Sequence, residues 1–394
     1  MKKSFIIFML SLFLGFTISE TVFAIPAFAR KYNMSCQTCH SPMPKLKSYG
    51  DEFAGNGFVL ADKDAPRYFV DTGDESLSLI RDLPIAVRLE AHATYRTDKP
   101  EIGDFKTPYL VKFMSGGSLA DNLAYYFYMY FDERGEVAGV EDAYIMFNNL
   151  FGSELDIYVG QFQISDPLFK REVRLTLEDY EIYKTKVGES NFNIAYDRGI
   201  MLTYGFDTGT DIMVEVVNGN GLSDADNEKL FDNDNNKNFF GRISQDLGEF
   251  LRVGAFAYTG KEFQNVNKFN FLENNMLMYG PDISISLGDK LELNAQYIQR
   301  TDEWNYASNN LSDKDVKTKG GLAELVITPN GDESKFYGVA LFNWVESDLN
   351  ELNYKTFTAH IGYMLRRNFR LVGEIKYDIT NEYYQLGAGF ITAF

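Results

Sequence analysis

The residue types that build most cofactor and metal sites are nearly missing from this chain, which has two cysteines and three histidines in 394 residues. So few cysteines exclude a disulfide-stapled scaffold. Basic charge is also short. Against 56 Asp and Glu there are 38 Lys and Arg, for a net charge of −18. That balance argues against a nucleic acid partner, since phosphate binding needs a basic face, and it favours attraction of cations. Beyond the first 24 residues no apolar run approaches the roughly 18–20 residues of a spanning helix. Proline and tryptophan are scarce, at 10 and 2 residues. Aromatics are plentiful: 33 Phe and 25 Tyr give a 15% content of the kind found on surfaces with aromatic girdles.

Residues 1–24 read as a signal peptide. Lys2 and Lys3 form a basic start, Phe5 to Phe16 a short apolar run, and Val22-Phe23-Ala24 a cleavage site that leaves Ile25 as the first mature residue. The chain is therefore expected to be exported without a helical anchor.

Both cysteines and one histidine fall in Cys36-Gln37-Thr38-Cys39-His40. C-x-x-C-H is the attachment motif of a c-type haem, in which two thiols bond to the porphyrin vinyl groups and the adjacent histidine is the proximal iron ligand. A redox pair of the thioredoxin type would want a βαβ context. Half a zinc site would want a fourth ligand nearby, and the next histidine is His92. Residues 25–80 are expected to form a monohaem segment, with Leu46, Tyr49 and Phe53 at helical spacing against the porphyrin and a charged linker from Asp62 to Asp82. About 55 residues is small for an independent cytochrome, so another surface has to help bury the haem.

From Pro84 the texture changes to period-two alternation that runs to the last residue. Ile85, Val87, Leu89, Ala91, Ala93 and Tyr95 alternate with Ala86, Arg88, Glu90, His92, Thr94 and Arg96. Phe357, Ala359, Ile361, Tyr363 and Leu365 alternate with Thr356, Thr358, His360 and Met364. Sixteen such segments are expected, near 84–97, 107–115, 122–133, 138–148, 155–165, 192–206, 210–218, 238–246, 250–259, 274–287, 291–303, 316–328, 334–346, 354–366, 369–380 and 383–394. Connections after even-numbered segments are short. Most of those after odd-numbered ones are longer, notably 166–191, 219–237, 260–273 and 304–315. This predicts an all-β fold, a sixteen-stranded transmembrane outer-membrane β-barrel over 81–394, with the long loops extracellular and a small N-terminal c-type cytochrome segment plugging or capping the lumen. The ending Leu386-x-Ala388-x-Phe390-x-Thr392-x-Phe394 is similar to the last strand of bacterial outer-membrane proteins.

The distal side of the iron is open to several side chains. Met34 and Met43 lie close to the motif along the chain, too close to reach the far porphyrin face. His92 and His360 are expected on inward faces near mid-height, as candidate distal ligands, with Met114, Met129 and Met146 as further options. Asp224, Asp226, Glu228, Asp232 and Asp234 crowd one loop without calcium-loop spacing, which suits a solvated loop with a weak cation-gathering role. Tyr125, Tyr126, Phe127, Tyr128, Tyr130 and Phe131 read as girdle and packing residues, or as an electron path. No nucleophile–base set and no phosphate loop is present.

Pro26-x-Phe28-Ala29-Arg30, Met34-x-Cys36-x-x-Cys39-His40 and Pro44-x-Leu46-x-x-x-Gly50-x-x-Phe53-x-x-x-Gly57-Phe58 together resemble the N-terminus of the fused outer-membrane monohaem cytochrome–porins, whose type members are iron oxidases of iron-oxidising bacteria. The barrel resembles that family in architecture only. The resemblance implies one covalent haem c on Cys36, Cys39 and His40. It also implies electron flow from extracellular Fe(II) to a periplasmic cytochrome, through a protein embedded in outer-membrane lipid. Two functions follow as alternatives: a transport pore whose haem segment is a plug or redox gate, and electron delivery outward to an extracellular acceptor.

Overall fold

In the computed structural model, residues 27–60 and 83–394 are described, apart from 99, 138, 189, 233, 268–269 and 307–313, with isolated positions between 73 and 80. The proposed signal peptide, Ile25 and most of the expected linker lie outside the described residues.

Sixteen antiparallel strands form one closed barrel in which each strand pairs with its sequence neighbours and β1 closes on β16. The strands are β1 Ile85–Arg96, β2 Ile102–Ala120, β3 Leu123–Glu133, β4 Gly139–Leu150, β5 Leu155–Phe162, β6 Asp197–Gly205, β7 Thr210–Val217 and β8 Asn238–Asp246, followed by β9 Leu251–Asn267, β10 Asn270–Leu287, β11 Leu291–Tyr306, β12 Lys314–Ile327, β13 Phe336–Ser347, β14 Tyr354–Arg366, β15 Phe369–Asp378 and β16 Tyr383–Ala393. Closure leaves no free sheet edge, which a bilayer would penalise because it offers no partners for backbone groups. Val87 and Phe394 exchange both backbone hydrogen bonds, at 2.7 and 2.9 Å, at the seam.

The alternation sorts side chains as the sequence pattern requires. On β14 Phe357 and Ile361 are 48% and 57% exposed on the outer face, whereas Thr356, Thr358 and His360 are buried in the lumen. An apolar outer face and a polar lumen are what lipid outside and water or protein inside select. Turns such as those between β2 and β3 and between β14 and β15 are tight and lie at the same end, the tight-turn end.

Two differences from the sequence reading matter. The expected loop 260–273 is largely strand, and so are both ends of the expected loop 304–315, at 304–306 and 314–315, because β9 to β12 continue as paired extensions. The connection from β5 to β6 is not an outside loop. It folds into the lumen, with Ile182, Tyr183, Phe192 and Ile194 buried in one apolar cluster against the barrel wall and Val187 in a second, with Trp304 and Val316. A solvated loop would not carry five such side chains, and burying them stabilises the inward fold. Wall residues also bind it: Arg300 donates to the Phe192 carbonyl at 2.9 Å and to Ser190 Oγ at 3.0 Å. Tyr180 donates to Glu324 at 3.0 Å, and Tyr354 and Thr356 donate to Glu178 at 2.7 and 2.6 Å.

Candidate functional site

The N-terminal segment lies against the tight-turn end of the lumen. It starts with α1 Ala27–Tyr32, passes a 3-10 turn at Cys36–Thr38 and ends in α2 Ser48–Gly55. Ser35 opens the 3-10 turn, its Oγ accepting from the Gln37 amide at 3.3 Å. The His40 amide donates to the Cys36 carbonyl at 2.9 Å, which folds the motif into one tight turn. α2 packs directly on that turn through Gly50. A Cβ there would lie 2.5 Å from the Cys39 carbonyl oxygen and 2.9 Å from Leu46 Cδ2. α2 ends through Gly57 and Phe58, both at positive φ, with the Phe58 amide bonded to the Phe53 carbonyl at 3.0 Å.

Ion pairs and aromatic packing join the segment to the barrel. Lys45 pairs with Glu292 of β11 at 2.5 Å, Lys47 with Asp332 in the β12–β13 turn at 2.5 Å, and Asp51 with Lys170 of the inner loop at 2.8 Å. Phe53 and Phe58 are buried with Ala124 and Met146 of the wall, and Phe58 stacks on Tyr126 at 5.6 Å. Exposed pairs of this kind are worth roughly 0–1 kcal/mol each, so the apolar contact is the larger contribution.

Between segment and wall lies a cavity of about 290 Å³, at the lower end of the usual size for cofactor sites. Cys36, Cys39 and His40 all line it, together with the apolar side chains Phe28, Phe53, Phe58, Met114, Tyr126 and Ile391. His40 Nδ1–H donates to the Pro44 carbonyl at 2.7 Å. That bond fixes the tautomer and leaves Nε2 as the free lone pair, the second-sphere arrangement of a metal-ligating imidazole. Burial holds the His40 pKa below its ordinary value, so the ring is neutral at pH 7. Burial pushes both thiols above theirs. Neither is a ready thiolate, which speaks against a disulfide-exchange pair. Attachment motif, tautomer and apolar walls together fit a c-type haem.

Among the other predicted residues, Leu46 and Phe53 line the cavity, but Tyr49 does not and is exposed. His92 and His360 are inward and buried, as expected, yet neither reaches this cavity. His92 packs on Tyr109 at 4.4 Å and borders a separate, polar vestibule of about 790 Å³, together with Arg174, Glu178, Asp179 and Glu181 of the inner loop. His360 Nδ1–H donates to Glu374 at 2.9 Å, and its Nε2 lies 3.4 Å from the Tyr337 hydroxyl. Met34, Met43 and Met114 do line the haem-motif cavity. Met146 packs instead on Phe53 and Phe58, and Met129 takes the outward set of β3 by alternation. In the acidic loop, Asp226 accepts from the Glu228 and Leu230 amides at 2.8 and 3.0 Å, Asp234 accepts from the Asn236 amide at 2.6 Å, and Asp232 pairs with Lys237. No metal-holding group of carboxylates, imidazoles or thiols occurs among the described residues.

The aromatic run of β3 splits by face. Tyr125 and Phe127 stack on one side, while Tyr126, Tyr128 and Tyr130 form a lumen ladder with centroid spacings of 6.2 and 5.8 Å. Tyr126 and Tyr128 border the haem-motif cavity, and Tyr109, beside His92, packs on the same tyrosine cluster. Aromatic packing is therefore continuous from the cavity to the vestibule.

Sequence comparison finds no matching family model and no matching curated protein. Solved structures do match in shape. The Salmonella typhi OmpF complex with daunomycin superposes at TM-score 0.55 with 12% identity, covering 79% of this chain and 97% of that one. The anion-selective porin from Comamonas acidovorans gives 0.54 at 10%, covering 79% and 99%. A loop-deletion mutant of OmpT from Vibrio cholerae gives 0.54 at 13%, again covering 79% and 99%. The chain has the porin fold. The inner loop after β5 narrows the lumen of this porin-fold barrel, and the N-terminal segment packs on the wall at the tight-turn end.

Proposed function

We propose that this porin-fold protein is an outer-membrane electron conduit. It takes one electron from an extracellular donor, Fe(II) going to Fe(III), and passes it to a periplasmic cytochrome. The observation that carries this reading is the placement of Cys36, Cys39 and His40 together on one apolar cavity at the mouth of a closed barrel. A pore plug needs no haem motif, and a soluble cytochrome needs no barrel.

In this reading, Cys36 and Cys39 would hold the porphyrin by thioether bonds and His40 Nε2 would ligate the iron. The bound haem supplies a one-electron ferric/ferrous couple. Pro44 orients the His40 ring, while Phe28, Phe53 and Phe58 exclude water from it. The tyrosine ladder supports the same reading, since it fills the span between cavity and vestibule with close-packed aromatic rings. The tight-turn end faces the periplasm and the vestibule end faces outward, as the loop lengths favour. Chain length fits too, because the motif lies on the same side as the start of β1.

A transport pore with a haem-bearing plug is the second reading, favoured by the polar vestibule and the porin fold. Purified protein in liposomes separates the two. The conduit shows haem reduction by external Fe²⁺ with little solute flux. The pore shows open-porin flux and no reduction.

A further inference from the structure

Among the described residues, the basic side chains on the cavity are paired with one exception. Arg88 binds Glu90 at 2.5 Å, Lys112 binds Glu172, and Lys170 binds Asp51 at 2.8 Å. Arg370 of β15 is 0% exposed and has no carboxylate ion-pair partner among the described residues. Its Nη1 donates to the Tyr337 hydroxyl at 2.7 Å, whereas Nε and Nη2 have no hydrogen-bond partner among the described residues. Arg88 Nε is likewise unpartnered. The register places the two arginines on either side of β16, with Arg370 opposite Ile391 and Arg88 opposite Ala393, and all four residues line the cavity.

A guanidinium stays charged at any pH a protein tolerates. Buried without hydrogen-bond partners, it carries a large desolvation penalty. Its planar fork of donors matches the two oxygens of a carboxylate. Two unsatisfied edges flanking one strand of a cofactor cavity therefore mark an anion position built by the barrel.

We propose that Arg370, with the Nε edge of Arg88 beside it, receives a haem propionate carboxylate, so that the barrel and not the N-terminal segment anchors the polar edge of the porphyrin. This rests on the haem reading above. Arg370 is a positioning residue. Its positive charge also favours the ferrous over the ferric state, because the reduced iron porphyrin carries one less positive charge.

The test is potentiometry of the haem-loaded full chain with Arg370→Gln and Arg370→Lys. Arg370→Gln is expected to keep covalent haem but to lower the ferrous-to-ferric ratio at fixed applied potential by about tenfold, which is about 59 mV for one electron. Arg370→Lys is expected to restore most of that ratio. An unchanged ratio in Arg370→Gln with haem still attached would overturn the proposal. So would a wild-type potential that follows added phosphate at constant ionic strength, since that would make the site one for a free anion. Resonance Raman of the wild type guards against a misfolded variant. A propionate-bending band at the hydrogen-bonded position supports the anchor, and a band at the solvent-exposed position overturns it. Wild-type protein without covalent haem would overturn both this inference and the reading beneath it, and so tells the two failures apart.

Discussion

At the scale of single residues, His40 is constrained most closely, with Nδ1 committed to Pro44 and Nε2 left free. Replacing Cys36 and Cys39 by Ala is expected to abolish covalent haem while the barrel still folds. Haem staining and heat-modifiable gel mobility read the two outcomes separately, and a haem-bearing double variant would refute the attachment site. Gly50→Ala is expected to push α2 off the motif, since the new Cβ would meet the Cys39 carbonyl at 2.5 Å. A cost of about 1–3 kcal/mol and a lower haem-to-protein ratio are the expected results. An unchanged ratio would show that the helix can shift freely. The motif was legible in the sequence because its chemistry depends on adjacency. The inward placement of His92 and His360 was legible from alternation. Which cavity each one faces was not, since that depends on how the β5–β6 connection divides the lumen. Arg370 was hidden for the same reason: an inward arginine reads as ordinary lumen lining until its neighbours are known.

At the scale of elements, all sixteen strands could be read from period-two patterning and turn spacing, because lipid outside and polar lumen inside impose that period on each strand. The inner loop has no period. Its buried Ile182, Tyr183, Val187, Phe192 and Ile194 could have been noticed as too apolar for a solvated loop, but their destination is set by wall residues far along the chain. Charge also holds this loop. Burial opposes ionisation of Glu172, but Lys112, Arg174 and Arg88 outweigh it and keep the carboxyl below its ordinary 4.5. Against the same opposing burial, Arg174 and Arg171 hold Asp179 below its ordinary 3.8. Carboxylates depressed in the folded state stabilise fully above their ordinary values, and that contribution is lost progressively as pH falls from there toward the depressed values. Asp166, raised by burial to about 6, acts in the opposite sense, and its gain is complete by its ordinary 3.8. Hydrogen exchange of residues 163–196, corrected for intrinsic rate, is therefore expected to rise below about pH 4. Unchanged protection there would contradict the charge argument. For the N-terminal segment, Phe58→Ala is expected to cost about 3–5 kcal/mol of docking and Lys45→Ala less than about 1. Protease access to the segment in reconstituted protein measures the difference, and equal access in the two variants would contradict the ranking.

At the scale of the whole molecule, the barrel, the inner loop and the N-terminal segment make one partition. The vestibule and the haem-motif cavity lie on separate parts of the lumen, joined by packed tyrosines. The net charge of −18 favours attracting small cations over passing anions. Removing residues 27–60 is expected to raise single-channel conductance, since the segment fills lumen space. Conductance equal to the full chain would place the segment outside the pore. The most direct measurement of the central claim is the haem absorption of full-length protein in liposomes after Fe²⁺ is added to the vestibule side alone. The account predicts reduction of the haem with solute flux well below that of an open porin. A haem that stays oxidised while solutes pass freely would contradict it.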